Sequence, residues 1–204
     1  RAMIVIQNDM KSLCFKNVPY KETSLQVSGG TLAVIGADPS TPGFSISAKD
    51  FGPIEFHPGA LVYRSDRGTE VITLENGAVM TRQEDARGSA MLAEPRWFYD
   101  VDTTTTPPTT TFVVYIMNIS TDEPMAKSGM TTVRMSLENM TIHKPPGDAE
   151  SVIVEYPDDA DNSVAWKNYL TGSSLKMDDS GGTYTRSDVM KLVVKEYEIK
   201  IHGI

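Results

Sequence analysis

The spacing of apolar residues changes along the chain from a helical period at the start to a strand period afterwards. In the first segment the apolar residues recur every three or four positions: Met3, Ile6, Met10, Leu13 and Cys14. This spacing lines one face of a helix, and Pro19 ends the segment because proline cannot continue a helix. The pattern predicts an amphipathic helix over residues 1–18. The face formed by Met3, Ile6, Met10 and Leu13 is its candidate packing or assembly face.

From residue 19 onward, short runs alternate apolar and polar residues, which is the period of a β-strand. Two apolar runs flank Gly29-Gly30 in "SLQVSGGTLAVIG". A meander follows in "ALVYRS" (60–65), "TEVITL" (69–74) and "AVMTRQ" (78–83), with "SAML" and "RWFYD" after it. Asn76-Gly77 separates the second and third runs of this meander. Because both residues tolerate positive φ, the pair predicts a tight turn between antiparallel strands.

The second half of the chain adds long strands, one short helix and a change of parity. Strands are predicted at "FVVYIMNI" (112–119), "MTTVRMSLENMTI" (130–142) and "SVIVEY" (151–156). A short helix is predicted near 163–171, since Ser163 suits its N-cap and Gly172 its end. In the last strand the apolar residues switch parity after Val194, which predicts a bulge near Lys195-Glu196.

These elements predict a mainly β fold at the margin of the α+β class. We expect an antiparallel β-sandwich or meander with an N-terminal amphipathic helix, and residues 19–204 forming a single β domain. The tract "TTTTPPTTT" (103–111) is of low complexity, and Pro107-Pro108 favours an extended conformation without ladder donors. It predicts an exposed loop; a domain linker or an acceptor of O-linked sugar is the alternative.

Charge and cysteine content narrow the classes of partner. The chain has 19 basic and 27 acidic residues and a net charge of -8, which repels phosphate backbones and anionic membrane surfaces. We therefore do not expect nucleic acid as a partner. The single cysteine, Cys14, excludes an internal disulfide and a zinc site built on cysteines. No run of 18 apolar residues is present, so no membrane span is predicted within this sequence.

The short motifs of common enzyme classes are missing from the sequence. It has no Gly-x-Ser-x-Gly elbow, no phosphate-cradling loop and no dinucleotide fingerprint. His57, His143 and His202 lie far apart, and none has a partner at metal-binding spacing. We predict no enzymatic activity, no cofactor and no metal. A catalytic triad of distant residues stays an open alternative, because its members meet only in the fold.

Two acidic segments and two glycosylation motifs complete the survey of candidate sites. "PDDADNS" (157–163) fails as a helix–loop–helix calcium site, since Val164 and Leu170 stand where glycine and glutamate are needed. "DDSGG" (178–182) predicts a plain turn, with an irregular calcium site as the alternative. Asn118 and Asn139 begin the sequons Asn-Ile-Ser and Asn-Met-Thr, and both are candidate N-glycosylation sites. They fit an exported protein.

A series of motifs over nearly the whole chain resembles one protein family. In order, the motifs are "SGGTLAV", "PGALVYRS", "LENGAV", "SAMLAEPRWFY", "SGMTTVRM" and "AWKNYL", followed by a long last strand. Their order and spacing are similar to those in the ectodomain of archaeal type IV pilin-like surface proteins, an uncharacterised euryarchaeal family. The chain departs from the family pattern in its Thr/Pro tract and at Met80, where an aromatic residue is common. The resemblance transfers no catalytic residue.

The resemblance implies a β domain held on the extracellular face of the cell membrane or at the cell surface. In the family the opening helix continues upstream into a hydrophobic single-pass anchor. The given sequence begins "RAMIVIQ", with neither a starting Met nor an N-cap residue, so we expect such an anchor to precede it. We also expect Met3, Ile6, Met10 and Leu13 to rest on the β domain and the first helical turn to project beyond it, with Arg1 at the surface. The membrane would be contacted only through that upstream segment.

Two functional hypotheses follow. The first is a non-enzymatic archaeal cell-surface protein, either a pilin-like subunit or a membrane-anchored envelope ectodomain, acting in assembly or adhesion. Its partners would be other envelope or pilus subunits, or a second copy of itself. The alternative is an extracellular ligand- or glycan-binding β module. Exposed aromatic residues in a groove would favour ligand binding, whereas a bare apolar stripe on the first helix would favour assembly.

Overall fold

The computed structural model describes residues 2–204, which form two helices and fourteen strands. In chain order they are α1 (Ala2–Phe15), β1 (Tyr20–Ile35), β2 (Phe44–Ala48), β3 (Phe51–Phe56), β4 (Ala60–Ser65), β5 (Glu70–Glu75), β6 (Ala78–Gln83), β7 (Ser89–Ala93), β8 (Phe98–Asp102), β9 (Thr109–Ser120), β10 (Met125–His143), β11 (Glu150–Glu155), α2 (Ser163–Leu170), β12 (Asp178–Ser180), β13 (Thr183–Val189) and β14 (Lys191–Gly203). The mainly β fold with one short helix after the N-terminal one is confirmed.

The strands form two sheets. The large sheet has nine strands in the order β7-β6-β5-β4-β1-β10-β14-β9-β8, and the small sheet has five in the order β12-β13-β11-β2-β3. All pairs are antiparallel except β9 with β14, which is parallel. Parallel neighbours need a long crossover, and the chain between Ser120 and Lys191 supplies one. The sandwich is therefore mixed rather than purely antiparallel.

The large sheet is covered on both faces, which gives a layered arrangement. Helix α1 lies on one face, where Met3, Ile6, Met10 and Leu13 are buried in a cluster with residues of β1, β4, β5, β10 and β14. The small sheet and α2 cover the other face, and their core contains Phe44, Ile46, Val154, Trp166 and Leu170. Burial on both faces explains why strand β9 is apolar at consecutive positions from Phe112 to Met117.

The predicted meander is confirmed for β4, β5, β6 and β7, which pair in sequence order. The next segment, "RWFYD", does not continue it. Its strand β8 pairs with β9 at the opposite edge of the large sheet. Trp97 explains the position of this segment, because its buried indole N–H donates to the Tyr115 carbonyl of β9 at 3.0 Å.

The structure corrects the interpretation of two stretches, Gly29-Gly30 in β1 and Lys195-Glu196 in β14. Gly29-Gly30 does not separate two strands; β1 runs through it with a shift in register against β10 between Val27 and Leu32. Gly30 accommodates the ring of Tyr63, since an added Cβ would lie 2.6 Å from that ring. Glycine inside a strand often marks such a bulge or close approach.

The last strand carries no bulge at Lys195-Glu196. Its parallel register with β9 is continuous from Lys191 to Lys200. The two shifts against β10 lie elsewhere, one between Leu137 and Asn139 of β10 and one at the end of β14, between Ile201 and Gly203. Leu192 and Val194 face the small sheet, whereas Ile199 and Ile201 face α1. The change of parity thus records a change in which face of β14 is covered.

The remaining boundaries differ from prediction by a few residues. Residues 103–108 form an exposed loop, but the last three threonines of the tract, Thr109–Thr111, belong to β9 and are half-buried. Helix α1 ends at Phe15 rather than near 18. Helix α2 has Asn162 as its N-cap, without a side-chain capping bond, so Ser163 is the first helical residue and not the cap.

The expected projection of the first helical turn is also wrong for the described part of α1. Met3 is 4% exposed and packs on the large sheet. Val5, on the opposite side of that turn, is 48% exposed. The expectation for Arg1 lies outside the described residues.

Candidate functional site

The tight turn between β5 and β6 is the starting point of the candidate site. Asn76 and Gly77 have φ values of 49° and 80°, so the predicted positive-φ turn is confirmed. Unlike most hairpin turns it is buried, with Asn76 only 1% exposed. Asn76 Oδ1 accepts the backbone N–H of Met117 at 2.8 Å, and the Gly77 carbonyl accepts Gln7 Nε2 at 2.7 Å. The turn therefore joins β9 and α1 through hydrogen bonds.

Glu75, the residue before the turn, connects the same hairpin to the opposite layer. Its Oε1 accepts the indole N–H of Trp166 at 2.8 Å and the hydroxyl of Tyr156 at 3.1 Å. Burial raises the pKa of Glu75 to about 7, although the bonds from Trp166 and Tyr156 act in the opposite direction. Burial, followed by the charge of Glu75, raises the pKa of Tyr156 well above its ordinary value. Glu75 is thus a buried carboxyl group that titrates near neutral pH.

A cavity of about 130 Å³ lies beside this carboxyl group, and we call it the Glu75 pocket. Its polar lining includes Thr73, Glu75, Arg82, Tyr156 and Asn162. Its apolar lining comes from Ile35, Pro42, Ala60 and Val62. Asp161 stands at the exposed side of the pocket, where its carboxylate accepts Arg82 Nη2 at 3.2 Å. The pocket therefore combines apolar walls with convergent polar groups, as small-molecule sites do.

Within residues 2–204, two buried polar atoms of the lining residues have no hydrogen-bond partner. Arg82 is 9% exposed and its Nε–H has no acceptor, and Asn162 is 7% exposed and its Oδ1 has no donor. A buried polar group without a hydrogen bond costs about 1–3 kcal/mol. Arg82 therefore has one donor, and Asn162 one acceptor, that no protein group satisfies.

A larger and more open cleft lies next to the Glu75 pocket, and Thr41 and Pro42 line both. The cleft has a volume of about 450 Å³ and is bounded by residues 39–45, Glu55, His57 and the segment around Asp159. His57 Nδ1 lies 2.8 Å from the Thr41 carbonyl, and its Nε2 lies 3.7 Å from the Glu55 carboxylate. The hydrogen-bonding contact with Thr41 orients His57 along the cleft wall.

The other two histidines lie elsewhere. His143 Nε2 is 3.0 Å from Glu196, and His202 Nε2 is 2.6 Å from the hydroxyl of Ser136. Among residues 2–204, no group of three or more His, Cys, Asp or Glu residues is placed to hold a metal ion. The acidic segment 178–182 forms the β12–β13 hairpin, with Gly181 and Gly182 at positive φ, which agrees with the predicted turn.

The two sequons occupy different environments. Asn139 is exposed on β10. Asn118 is 5% exposed, and its Nδ2 donates to Glu196 at 2.7 Å and to Glu198 at 2.8 Å. An amide nitrogen with two carboxylate partners inside the fold is not accessible for modification, so only Asn139 is available as a glycosylation site in the folded chain.

Neither surface feature that would separate the two functional hypotheses is present in the described residues. The large aromatic side chains pack against one another in the core, where Phe44, Trp97, Tyr156 and Tyr169 surround Trp166. Phe44 lines the cleft and Tyr156 lines the Glu75 pocket, but they are 0% and 3% exposed, so neither presents an exposed aromatic face in a groove. The apolar stripe of α1 is not bare either, since Met3, Ile6, Met10 and Leu13 are all buried against the large sheet. These four side chains therefore pack within the domain and are not accessible to another subunit.

The sequence did contain a signal for the Glu75 pocket that motif searching missed. Val71, Thr73 and Glu75 alternate along β5, and Ala78, Met80 and Arg82 alternate along β6. In each strand the apolar members of the set face the core, so the charged member must face it as well. A charged residue on the inward parity of a hairpin is the pattern that identifies this site.

The fold and the pocket define a class of layered, mixed β protein in which a helix, a large sheet and a small sheet stack in that order. Residues 1–201 match the model of DUF7289, a family of unknown function, and the chain belongs to that family. The comparisons found no matching curated protein and no matching solved structure. Within residues 2–204, neither helix is both long enough and apolar enough to cross a bilayer.

Proposed function

We propose that the protein is a non-enzymatic cell-surface protein, a pilin-like subunit or a membrane-anchored envelope ectodomain that acts in assembly or adhesion. The observation that carries this proposal is the packing of α1 along one face of the large sheet. Ile6 and Leu13 are fully buried there, and Met10 is 1% exposed. A helix joined to the sheet in this way supports a β domain and holds it in a fixed orientation. The resemblance to archaeal type IV pilin-like proteins favours the same role.

The strength of this attachment also supports the proposal. Burying a large apolar side chain stabilises a fold by about 1.5–3 kcal/mol, and the helix contributes four such side chains. Gln7 adds a directional contact, because its Nε2 donates to the carbonyls of Gly77 and Glu94 at 2.7 and 3.2 Å. Force applied to the helix would therefore be transmitted to the β5–β6 hairpin.

The test is the location of the protein in its own cells. Antibodies raised against the folded domain should label intact cells, and the labelled protein should sediment with the membrane or with surface filaments. An antibody against a cytoplasmic protein serves as the control for cell integrity. Labelling that appears only after lysis would refute the surface location.

A second function, ligand binding, is favoured by the Glu75 pocket alone. Its unpartnered donor and acceptor suit the hydroxyl groups of a sugar, and Trp166 reports on the pocket because its indole N–H is bonded to Glu75. The chain has two tryptophans, so a ¹⁵N-correlated spectrum shows two indole signals. Trp97 is the internal control, since its indole donates to Tyr115 instead.

On this second hypothesis, titration with galactose or N-acetylglucosamine shifts the Trp166 signal more than that of Trp97, whose ring packs on Trp166 but whose N–H does not bond to Glu75. Arg82→Lys removes the Nε–H donor and should weaken the shift, whereas Arg67→Lys in an exposed turn should not. If neither sugar moves the Trp166 signal in the unsubstituted protein, the pocket does not bind sugars of this kind.

A further inference from the structure

The distal half of β10 has a strand neighbour on one side only. Strand β1 begins opposite Ser136, where Tyr20 is paired with it. Beyond that point β10 continues alone beside β14, from the Asn139–Glu198 pair to the His143–Val194 pair. Within residues 2–204, no strand pairs with the other side of this segment. We call residues 138–144, which end just past the strand, the free edge.

The free edge has a β-bulge at its start, between Leu137 and Asn139, and Lys144 and Pro145 at its end, but the residues between them carry none of the lysines or prolines that usually protect a sheet edge. Residues 138–142 are exposed without interruption, and Met140 and Ile142 are each 45% exposed. These two apolar side chains share one face of the strand because they are two positions apart. Unpaired backbone N–H and C=O groups beside exposed apolar side chains are a template for pairing with another strand.

The sequence of the free edge is complementary to itself in antiparallel register. If Thr141 lies opposite Thr141 of a second copy, Met140 faces Ile142 of that copy. In the same register Glu138 lies opposite Lys144 at both ends, so the opposite charges meet. Pro145 follows Lys144 and holds it in an extended conformation.

We propose that two copies of the chain pair through this free edge, antiparallel and across a two-fold axis at Thr141. The contact is of the same surface with itself, which closes a dimer rather than starting a filament. It would join the two large sheets into one continuous sheet. The inference deepens the assembly role proposed above by naming a second copy as the partner.

Cysteine cross-linking tests the register directly. Residues opposite each other in antiparallel strands have Cβ atoms about 4.5–5.5 Å apart, close to the distance a disulfide spans. In a Cys14→Ser background, Thr141→Cys should therefore give a disulfide-linked dimer under mild oxidation. The matched control is Thr103→Cys, at another exposed threonine, in the loop after β8. A yield for Thr141→Cys no higher than that of Thr103→Cys would overturn the proposal.

A charge exchange tests the same register without a covalent bond. Glu138→Lys alone and Lys144→Glu alone should each weaken dimerisation in sedimentation equilibrium by about 2- to 30-fold, because two symmetric ion pairs become like-charged. The double exchange should restore the dimer. Equal dimerisation of all four proteins, or no dimer at any concentration tested, would refute the pairing.

These measurements are independent of the cell-surface experiment. They use the purified chain, so a failed dimer leaves the surface location standing. A cytoplasmic location, in turn, leaves the pairing of the free edge to be judged by its own results.

Discussion

Replacing Glu75 with glutamine should change how the stability of the protein depends on pH. The carboxyl group is buried and has a pKa of about 7 in the folded chain, against an ordinary value of 4.5. Its folded pKa is the higher of the two, so the folded state binds more protons than the unfolded state between these values. Stability from this group is fully present below about pH 4.5 and is lost as the pH rises through about 7.

The size of the effect follows from the difference between the two pKa values. It spans about 2.5 pH units, and each unit is worth about 1.4 kcal/mol, so ionised Glu75 costs the fold about 3 kcal/mol above pH 7. Glutamine does not ionise, and its carbonyl can still accept the bonds from Trp166 and Tyr156. The Glu75→Gln variant should therefore gain about 3 kcal/mol relative to the unsubstituted protein between pH 4.5 and pH 8.

Urea unfolding followed by tryptophan fluorescence measures this difference at a series of pH values. Glu70→Gln is the matched control, since it removes an exposed carboxyl group from the same strand. Its unfolding free energy should follow that of the unsubstituted protein. A gap between Glu75→Gln and the unsubstituted protein that stays constant with pH would refute the assignment of a raised pKa to Glu75.

Three further changes test the contacts around the hairpin and the helix. Asn76→Pro should lower stability by about 3 kcal/mol or more, because proline cannot reach positive φ and the buried Met117 N–H loses its acceptor; an unchanged melting temperature would contradict this. Gln7→Leu should cost about 1–3 kcal/mol by leaving the buried Gly77 carbonyl without its donor, since the Glu94 carbonyl still accepts from Lys11 Nζ. Exposed Asn8→Ala on the same helix should cost far less in the same melting assay. Burial raises the pKa of Cys14 to about 12, so its alkylation by iodoacetamide at pH 8 should be slow until urea unfolds the chain; rapid labelling of the folded protein would argue against that burial.

Several elements of this fold were determined by short-range properties that the sequence displays. The turn at Asn76-Gly77 was predictable because the φ preference of these residues is intrinsic to their side chains. The helix at the start was predictable because Ile6, Met10 and Leu13 recur at the helical period. In both cases the deciding interactions lie within a few residues of each other along the chain.

Other features depended on which layer covers each face of the large sheet, and periodicity cannot report that. The parity change in β14 has the same sequence pattern whether a bulge rotates the strand or the covered face changes at Tyr197. The structure shows the second, because α1 and the small sheet lie on opposite faces of that strand. The same reasoning applies to Asn118, whose sequon looks accessible in sequence but faces Glu196 and Glu198 in the fold.

Glu75 shows most clearly what only the tertiary structure decides. Its alternation with Val71 and Thr73 in β5 already pointed it toward the core. Its pKa, however, depends on being covered by Tyr156 and Trp166, which lie 81 and 91 residues away in sequence. Desolvation acts through space and requires every covering layer to be in place, so no local pattern in the chain contains it.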